Sequence, residues 1–370
     1  MMNNCCENEA HENALVLLRG KLEGKKILQL GNLAGWPHTV AKGLRALGID
    51  SQNILHEYRD VPGINRQLSF DSSIFRKDEN IIGKVLKTLW FLICAPMRYK
   101  VIHYHSSNIL PRGLLFLEAA YLRMFGVKTV ISFGGGDARL LKEANEKNRY
   151  FYRKKGVLRD FLVKIRWMNW NRFVDACAAD PEMLATKMNK IRKRVLFMQP
   201  IDFSRLDRRL PEDLRKPLRV LHVPTESDVK GTSIFVDVMT ELADKYLIEF
   251  TIERNLPQDD FYKLLASTDV YLDELKCGSY GVTAAEAMSL GKVVVTYVRE
   301  DLVSGYPEGM PIYNANPDNV LPRLDRLFSE LDTVQELKKA SFEYAERVHE
   351  STKILTKVLI PLYLELINEY

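Results

Sequence analysis

Short runs of β-branched and aromatic residues recur along this chain, and most are followed by a stretch whose apolar positions repeat every three or four residues. Lys26–Gly31 (KILQLG) is the first such run. After the loop Asn32–Thr39, Val40, Leu44 and Leu47 mark a helix that Gly48 stops. Strands are predicted near Ser51–Leu55 and at Lys100–His105, Val127–Phe133, Asp175–Ala179 and Arg194–Met198. Helices are predicted between them, at Ile82–Ala95, at Pro111–Phe125 and within 139–172. The alternation lapses around Pro200–Pro217 into a charge-dense connector, then restarts. The second series reads as strand Leu218–Val223, helix Gly231–Tyr246, strand Leu247–Glu253, helix Asp259–Ser267, strand Val270–Leu272, helix Val282–Leu290 and strand Val293–Tyr297. Helices Asn319–Glu330, Thr333–Val348 and Thr352–Tyr370 close the chain.

Strands alternating with amphipathic helices argue an α/β protein with parallel sheets. The expected organisation is two Rossmann-like lobes, residues 26–200 and 201–345, facing each other across a cleft at the carboxyl ends of their strands. Residues 1–25 read as a loosely held leader, and 346–370 as a C-terminal helix that packs back on the first lobe. Residues 57–80, polar and carrying Pro62 and Gly63, read as a long loop of the kind that usually serves a site.

The densest chemistry lies in Leu272–Val295, LDELKCGSYGVTAAEAMSLGKVVV. Here a strand ends in carboxylates, a glycine-bearing loop follows, and a short helix carries Glu286 one turn in. Helix-start N–H groups and the helix dipole suit a phosphate, and a carboxylate suits the vicinal hydroxyls of a ribose. The same spacing also fits an ordinary βα turn with a solvated Glu286. In the second lobe's first loop, Thr225–Val229 leads to Lys230 at a helix start, where an ammonium can meet a diphosphate.

A length of 370 residues, 46% hydrophobic and 27% charged, suits a folded two-domain protein. No window is long and apolar enough for a membrane helix, and the N-terminus lacks a signal-peptide layout. Five scattered cysteines, with no CxxC pair, read as reduced thiols of a cytoplasmic protein and offer no zinc site. The net charge is only +5, but 138–172 holds eleven basic against three acidic residues, leaving the remainder of the chain at about −3. Aromatic residues from Phe151 to Phe173 are interleaved with these cations, the layout of a surface that meets an anionic membrane. A solvated helix face has the same composition. No nucleic-acid motif accompanies the segment, so a nucleic-acid partner is not expected.

HVPTESDVKGT, PIDFSRL and VYLDELKCGSYGVTAAEAMSLGKVVV, with GNLAGWPHTVAKGLRALGI and ISFGGGDAR in the first lobe, resemble the GT-B glycosyltransferases of family 4 over residues 26 to about 330. The resemblance implies a retaining transferase that needs no metal or other cofactor. It takes sugar from a UDP- or GDP-linked donor to a saccharide or lipid-linked acceptor, as in surface polysaccharide synthesis. Carried over by position, Lys230 neutralises the leaving diphosphate and Glu286 binds the ribose. The Gly281, Val282 and Thr283 backbone cradles phosphate, and Gly35 admits the donor closely. Thr225, Ser227, Glu274, Ser279 and Tyr280 complete the implied donor site. Three positions depart from the family pattern: Gly278 stands where many relatives have a carboxylate, Ser227 where an arginine is common, and Gly134 where a histidine is common. Asp273 and Glu274 are the carboxylates expected to replace the first. His105 and Asp137 are the polar candidates left for the cleft, although a strand-end histidine is equally a structural residue. A degenerate homologue acting as a binding or assembly partner is the alternative, and a nucleotide-sugar epimerase of the same fold a third.

Overall fold

The computed structural model describes residues 2–57, 68–76, 78–111, 114–153, 156–211, 213–214 and 216–369. The long loop at 58–67 and 77, and the basic segment at 154–155, lie outside the described residues.

The first lobe runs α1 (Met2–Leu22), β1 (Lys26–Leu30), α2 (Trp36–Ala46), β2 (Ser51–Leu55), β3 (Ser72–Ser73), α3 (Ile81–Arg98), β4 (Tyr99–His105), α4 (Leu115–Met124), β5 (Lys128–Ser132), α5 (Leu141–Lys147), α6 (Val157–Phe173), β6 (Ala176–Ala179), α7 (Pro181–Ala185) and β7 (Lys193–Leu196). Its seven strands are all parallel, in the order β3-β2-β1-β4-β5-β6-β7. The second lobe runs β8 (Leu218–His222), α8 (Ser227–Lys230), α9 (Thr232–Ala243), β9 (Ile248–Ile252), α10 (Gln258–Ala266), β10 (Val270–Leu272), α11 (Val282–Ser289), β11 (Val293–Thr296), α12 (Glu300–Val303), β12 (Tyr313–Asn314) and α13 (Val320–Ser329). Its parallel order is β12-β11-β10-β8-β9. After α14 (Leu331–Val348) come α15 (Ser351–Ile354), a π-helical turn Leu355–Leu359 and α16 (Ile360–Asn368).

Both faces of each sheet are covered, so the strands read as continuous apolar runs. In β4, Ile102 and Tyr104 pack with Leu122 of α4 and Val163, Trp167 and Trp170 of α6. Val101 belongs to a different cluster, which gathers Val40 and Leu44 of α2 with Ile360 and Tyr363 of α16. That second cluster continues into the other lobe through Phe261 of α10, Ala284 and Met288 of α11 and Tyr344 of α14. One face of the two lobes therefore shares a single apolar core.

The polar residues before Lys26 differ from expectation. Met2–Leu22 is one helix, with Leu18 and Leu22 buried and α16 against it. Two apolar positions four apart are enough to dock it, and the mixed charges around them conceal so narrow a stripe. The two-residue strands β3 and β12 are too short to show a period of two. Helices α7, α8 and α12, of five residues or fewer, escape a 3.6-residue period for the same reason.

Candidate functional site

Strand order reverses beside β1 and β4 in one sheet and beside β8 and β10 in the other, where crevices open at the carboxyl ends of parallel strands. The loop after β1 needs its glycines. At Gly31, φ is +110° and an added Cβ would lie 2.6 Å from the His105 carbonyl oxygen. Gly35, at φ +83°, precedes α2 and donates its N–H to Asn32 Oδ1 at 3.2 Å.

Gly35 borders a cavity of about 190 Å³ between the lobes. Lys42 and Arg205 line it with Gly35, facing Tyr262, Val282 and Glu286 of the second lobe. Glu286 is 1% exposed. Its Oε1 accepts from Tyr262 Oη at 2.8 Å and from Gln258 Nε2 at 3.3 Å. Arg205 Nη1 donates to Gln258 Oε1 at 2.6 Å, so a cation backs the amide that supports the carboxylate. Sequence reasoning missed Arg205, Gln258 and Tyr262. The only local signal is the four-residue spacing of Gln258 and Tyr262 on α10; their meeting with Glu286 is a tertiary event.

A buried polar cluster lies at the start of α11, where Thr283 follows Val282 of the cavity wall. Lys230 Nζ lies 2.6 Å from Asp273 Oδ1 and 3.2 Å from Glu274 Oε2. Thr283 Oγ1 donates to the same Asp273 oxygen at 3.0 Å. Burial alone would push the Lys230 ammonium toward neutrality; Asp273 and Glu274 outweigh it and hold the group charged. Burial raises the Glu274 carboxyl above its usual range despite Lys230 beside it. Thr283 and Glu286 are three residues apart, about 4.5 Å along the helix axis. Lys230 and Glu286 thus serve opposite ends of the first turn of α11. Gly281 caps that helix without a side-chain bond, and Val282 opens onto the cavity. The Lys230 ammonium does not stand free for a diphosphate, because two carboxylates already hold it. Of the remaining first-loop candidates, Thr225 is exposed and Ser227, half-buried, opens α8.

Other predicted residues are engaged elsewhere. His105 is buried under the crevice rather than facing it: Nε2 donates to Gln29 Oε1 at 2.8 Å, and the ring stacks on His103 at 4.3 Å. Burial holds the His105 ring well below its ordinary pKa and so neutral. Tyr280 is a core residue, stacked on Tyr306 and bonded through its hydroxyl to Tyr344 and His349, each at 3.2 Å. It presents no group to a donor. Asp137 is half-buried and closes its own loop, its Oδ1 accepting from Gly134 N–H at 3.1 Å. A Cβ on Gly134 would fall 2.3 Å from Leu33 Cδ1, so a side chain there would require Leu33 to turn aside. At Gly278, φ is +88° and a Cβ would lie 2.5 Å from Arg299 Cγ, which excludes a carboxylate side chain there.

Ser279 reaches the first lobe rather than a cavity, donating to Glu182 Oε2 at 3.0 Å. Arg139 clamps Glu182 with bonds of 2.7 and 2.5 Å, and Arg299 approaches within 3.7 Å. Coulombic attraction to the two arginines overcomes the burial penalty and holds the Glu182 carboxyl below its usual range. Asn148 Nδ2 adds bonds across the lobes to the Lys276 and Cys277 carbonyls at 2.9 and 3.1 Å. Among the described residues, no group of three or more His, Cys, Asp or Glu side chains is arranged to hold a metal ion.

No family profile and no curated protein sequence matches this chain. Solved structures do. Sucrose-phosphate synthase from Thermosynechococcus elongatus superposes with a TM-score of 0.61 at 13% identity, covering 94% of this chain and 100% of that one. Anabaena HepE in complex with UDP and glucose gives 0.59 at 13% identity, over 91% and 99%. The fold is GT-B. The catalytic domain of Arabidopsis thaliana starch synthase IV, bound to ADP and acarbose, gives 0.59 at 10% identity over 94% and 100%. The GT-B lobes are thus residues carrying the β1–β7 sheet and the β8–β12 sheet, and the cavity beside Glu286 lies between them.

Proposed function

We propose that this chain is a retaining glycosyltransferase that moves a sugar from a UDP- or GDP-sugar to a saccharide or lipid-linked acceptor without a metal. It would work at the cytoplasmic face of a membrane in surface glycoconjugate synthesis. The observation that carries the reading is the buried Glu286 carboxylate, lining an interlobe cavity one turn into α11. Ribose hydroxyls donate to such a carboxylate, and the N–H groups at the start of α11 then meet the diphosphate. Fold neighbours support a nucleotide-sugar donor: HepE was solved with UDP-glucose, and starch synthase IV with ADP.

In this mechanism the acceptor oxygen attacks the anomeric carbon on the face the diphosphate leaves. The bond from that carbon to the phosphate oxygen breaks, its electron pair stays with the diphosphate, and the acceptor's proton passes to a phosphate oxygen. Lys230 and the α11 dipole stabilise the charge that develops. For Lys230 to bond phosphate it exchanges its longer contact, to Glu274, while Asp273 keeps it aligned. That competition is also what favours the second reading, a catalytically degenerate GT-B homologue acting as a binding or assembly partner.

A calorimetric screen of UDP- and GDP-sugars, followed by nucleotide-release assays with polyprenyl-linked and free saccharide acceptors, tests both. Binding with release is the expected result. Release would end the second reading, and binding without release, or no binding to any donor, would end the first.

A further inference from the structure

We propose that the outer face of α3, α4 and α6 is a docking surface for an anionic phospholipid bilayer, one that delivers a lipid-borne acceptor to the crevice rim. Among the described residues, the exposed large hydrophobic side chains concentrate here. The first eleven residues of α3 bury none of their side chains, and Ile81, Ile82, Leu86 and Trp90 are each more than 60% exposed. Phe116 and Leu117 of α4, and Val157, Leu158, Phe161 and Met168 of α6, continue the surface. The helices adjoin one another, α3 on α4 and α4 on α6, so the patch is contiguous rather than scattered.

Charge selects the occupant. Lys87, Arg98, Arg123, Lys164 and Arg172 are exposed on these same helices; Lys87 pairs with Glu79 at 2.8 Å and Arg123 with Asp175 at 3.3 Å, so the charge offered to a headgroup is that of Arg98, Lys164 and Arg172. The only carboxylates the three carry face inward. Glu118 is fully buried and accepts from Tyr104 Oη and the Leu110 N–H, while Asp160 accepts from the Leu141 and Lys142 N–H groups of α5. Exposed apolar side chains interspersed with cations, on helices whose own carboxylates are turned inward, match acyl chains beneath anionic headgroups. Among the described residues no helix is long and apolar enough to cross a membrane, so the contact is with the surface.

Topology sets the direction. Helices joining parallel strands run back along the sheet, so the N-termini of α3, α4 and α6 lie at the carboxyl ends of the strands, where the crevice opens. Those N-termini hold Ile81, Ile82, Leu114, Val157 and Leu158. On its inner side α6 grips the crevice loop: Arg159 bonds the Arg139 carbonyl at 2.9 Å, and Arg166 that of Asp137 at 3.2 Å.

The bilayer contact stands without the transferase reading; only the acceptor's route rests on it. The test is flotation of the full chain with phosphatidylcholine vesicles, with and without phosphatidylglycerol, in low and high salt. The protein should float with anionic vesicles, weakly with neutral ones, and less as salt rises. Trp90→Glu with Phe161→Glu, and separately Lys164→Glu with Arg172→Glu, should each lower partitioning at least tenfold. Thermal unfolding and UDP-sugar affinity should stay as in the parent. Val16→Glu, on exposed α1 at the opposite face, should change nothing. Equal flotation with neutral vesicles, or flotation that survives both double variants, overturns the proposal. So does a dimer in light scattering that Trp90→Glu dissolves while the parent ignores vesicles, since the face would then belong to a second copy. Loss of UDP-sugar binding in the parent would leave the vesicle result standing and remove only the transferase reading.

Discussion

Tyr262 and Gln258 hold the Glu286 carboxylate in one orientation at the cavity wall, so its contribution to binding a ribose is separable from folding. Glu286→Ala should weaken UDP or GDP binding by about 1.5–3 kcal/mol, the worth of hydrogen bonds to a charged group. Calorimetry returning the parent affinity would remove Glu286 from the donor site. Its type and spacing were legible in the sequence because helix position alone aims a residue one turn into α11. The sequence left His105 open between a cleft and a structural role, and pointed Tyr280 at the donor, for the opposite reason. Tyr280 stands in a glycine-bearing turn and His105 at a strand end, and only the packing of His103, Gln29, Tyr344 and His349 around them shows that they face inward.

Strands with runs such as VIHYH and VVV were legible because burial on both faces selects continuous apolar residues, whatever lies above or below them. What joins one element to another was not. The loop after β5, helix α7 and the β10–α11 loop meet in the Arg139–Glu182–Ser279–Arg299 network, whose members lie up to 160 residues apart. A buried ion pair is strongly missed when half of it is removed. Glu182→Gln should therefore cost about 3–5 kcal/mol by stranding Arg139. Urea denaturation with an unchanged midpoint would show that the network adds no stability. Gly31→Ala tests the loop after β1, since the new methyl meets a backbone carbonyl at 2.6 Å and the residue must keep φ +110°. A loss of about 1–3 kcal/mol is expected, read from the same denaturation curves.

Across the whole molecule, buried imidazoles set the response to acid. Burial depresses His103 to about 3, and His222 and His349 to about 4, from an ordinary 6.5. Folding keeps these rings neutral, so their contribution is complete above about 6.5 and is lost as pH falls toward the folded values. Each is worth about 3 kcal/mol by pH 4, together on the order of the protein's entire stability. Glu118 and Asp180, raised by burial to about 7 and about 6, and Glu274, raised likewise, work against them, since their share is lost as pH rises from the ordinary carboxyl range toward the folded values. With His105 depressed likewise, four rings stand against these three carboxyls, so Tm should drop between pH 6.5 and 4, and a flat profile there would contradict the burial of these rings. The chain passes between the lobes twice, and both passages run side by side: Ile201 N–H donates to the His349 carbonyl at 2.8 Å, and Ser351 N–H to that of Ile201 at 3.1 Å. The molecule is thus bound like a book, with that double thread as its spine and the Glu182–Ser279 contact as a clasp near the fore-edge, so anything that unfastens the clasp turns a page rather than tearing one out.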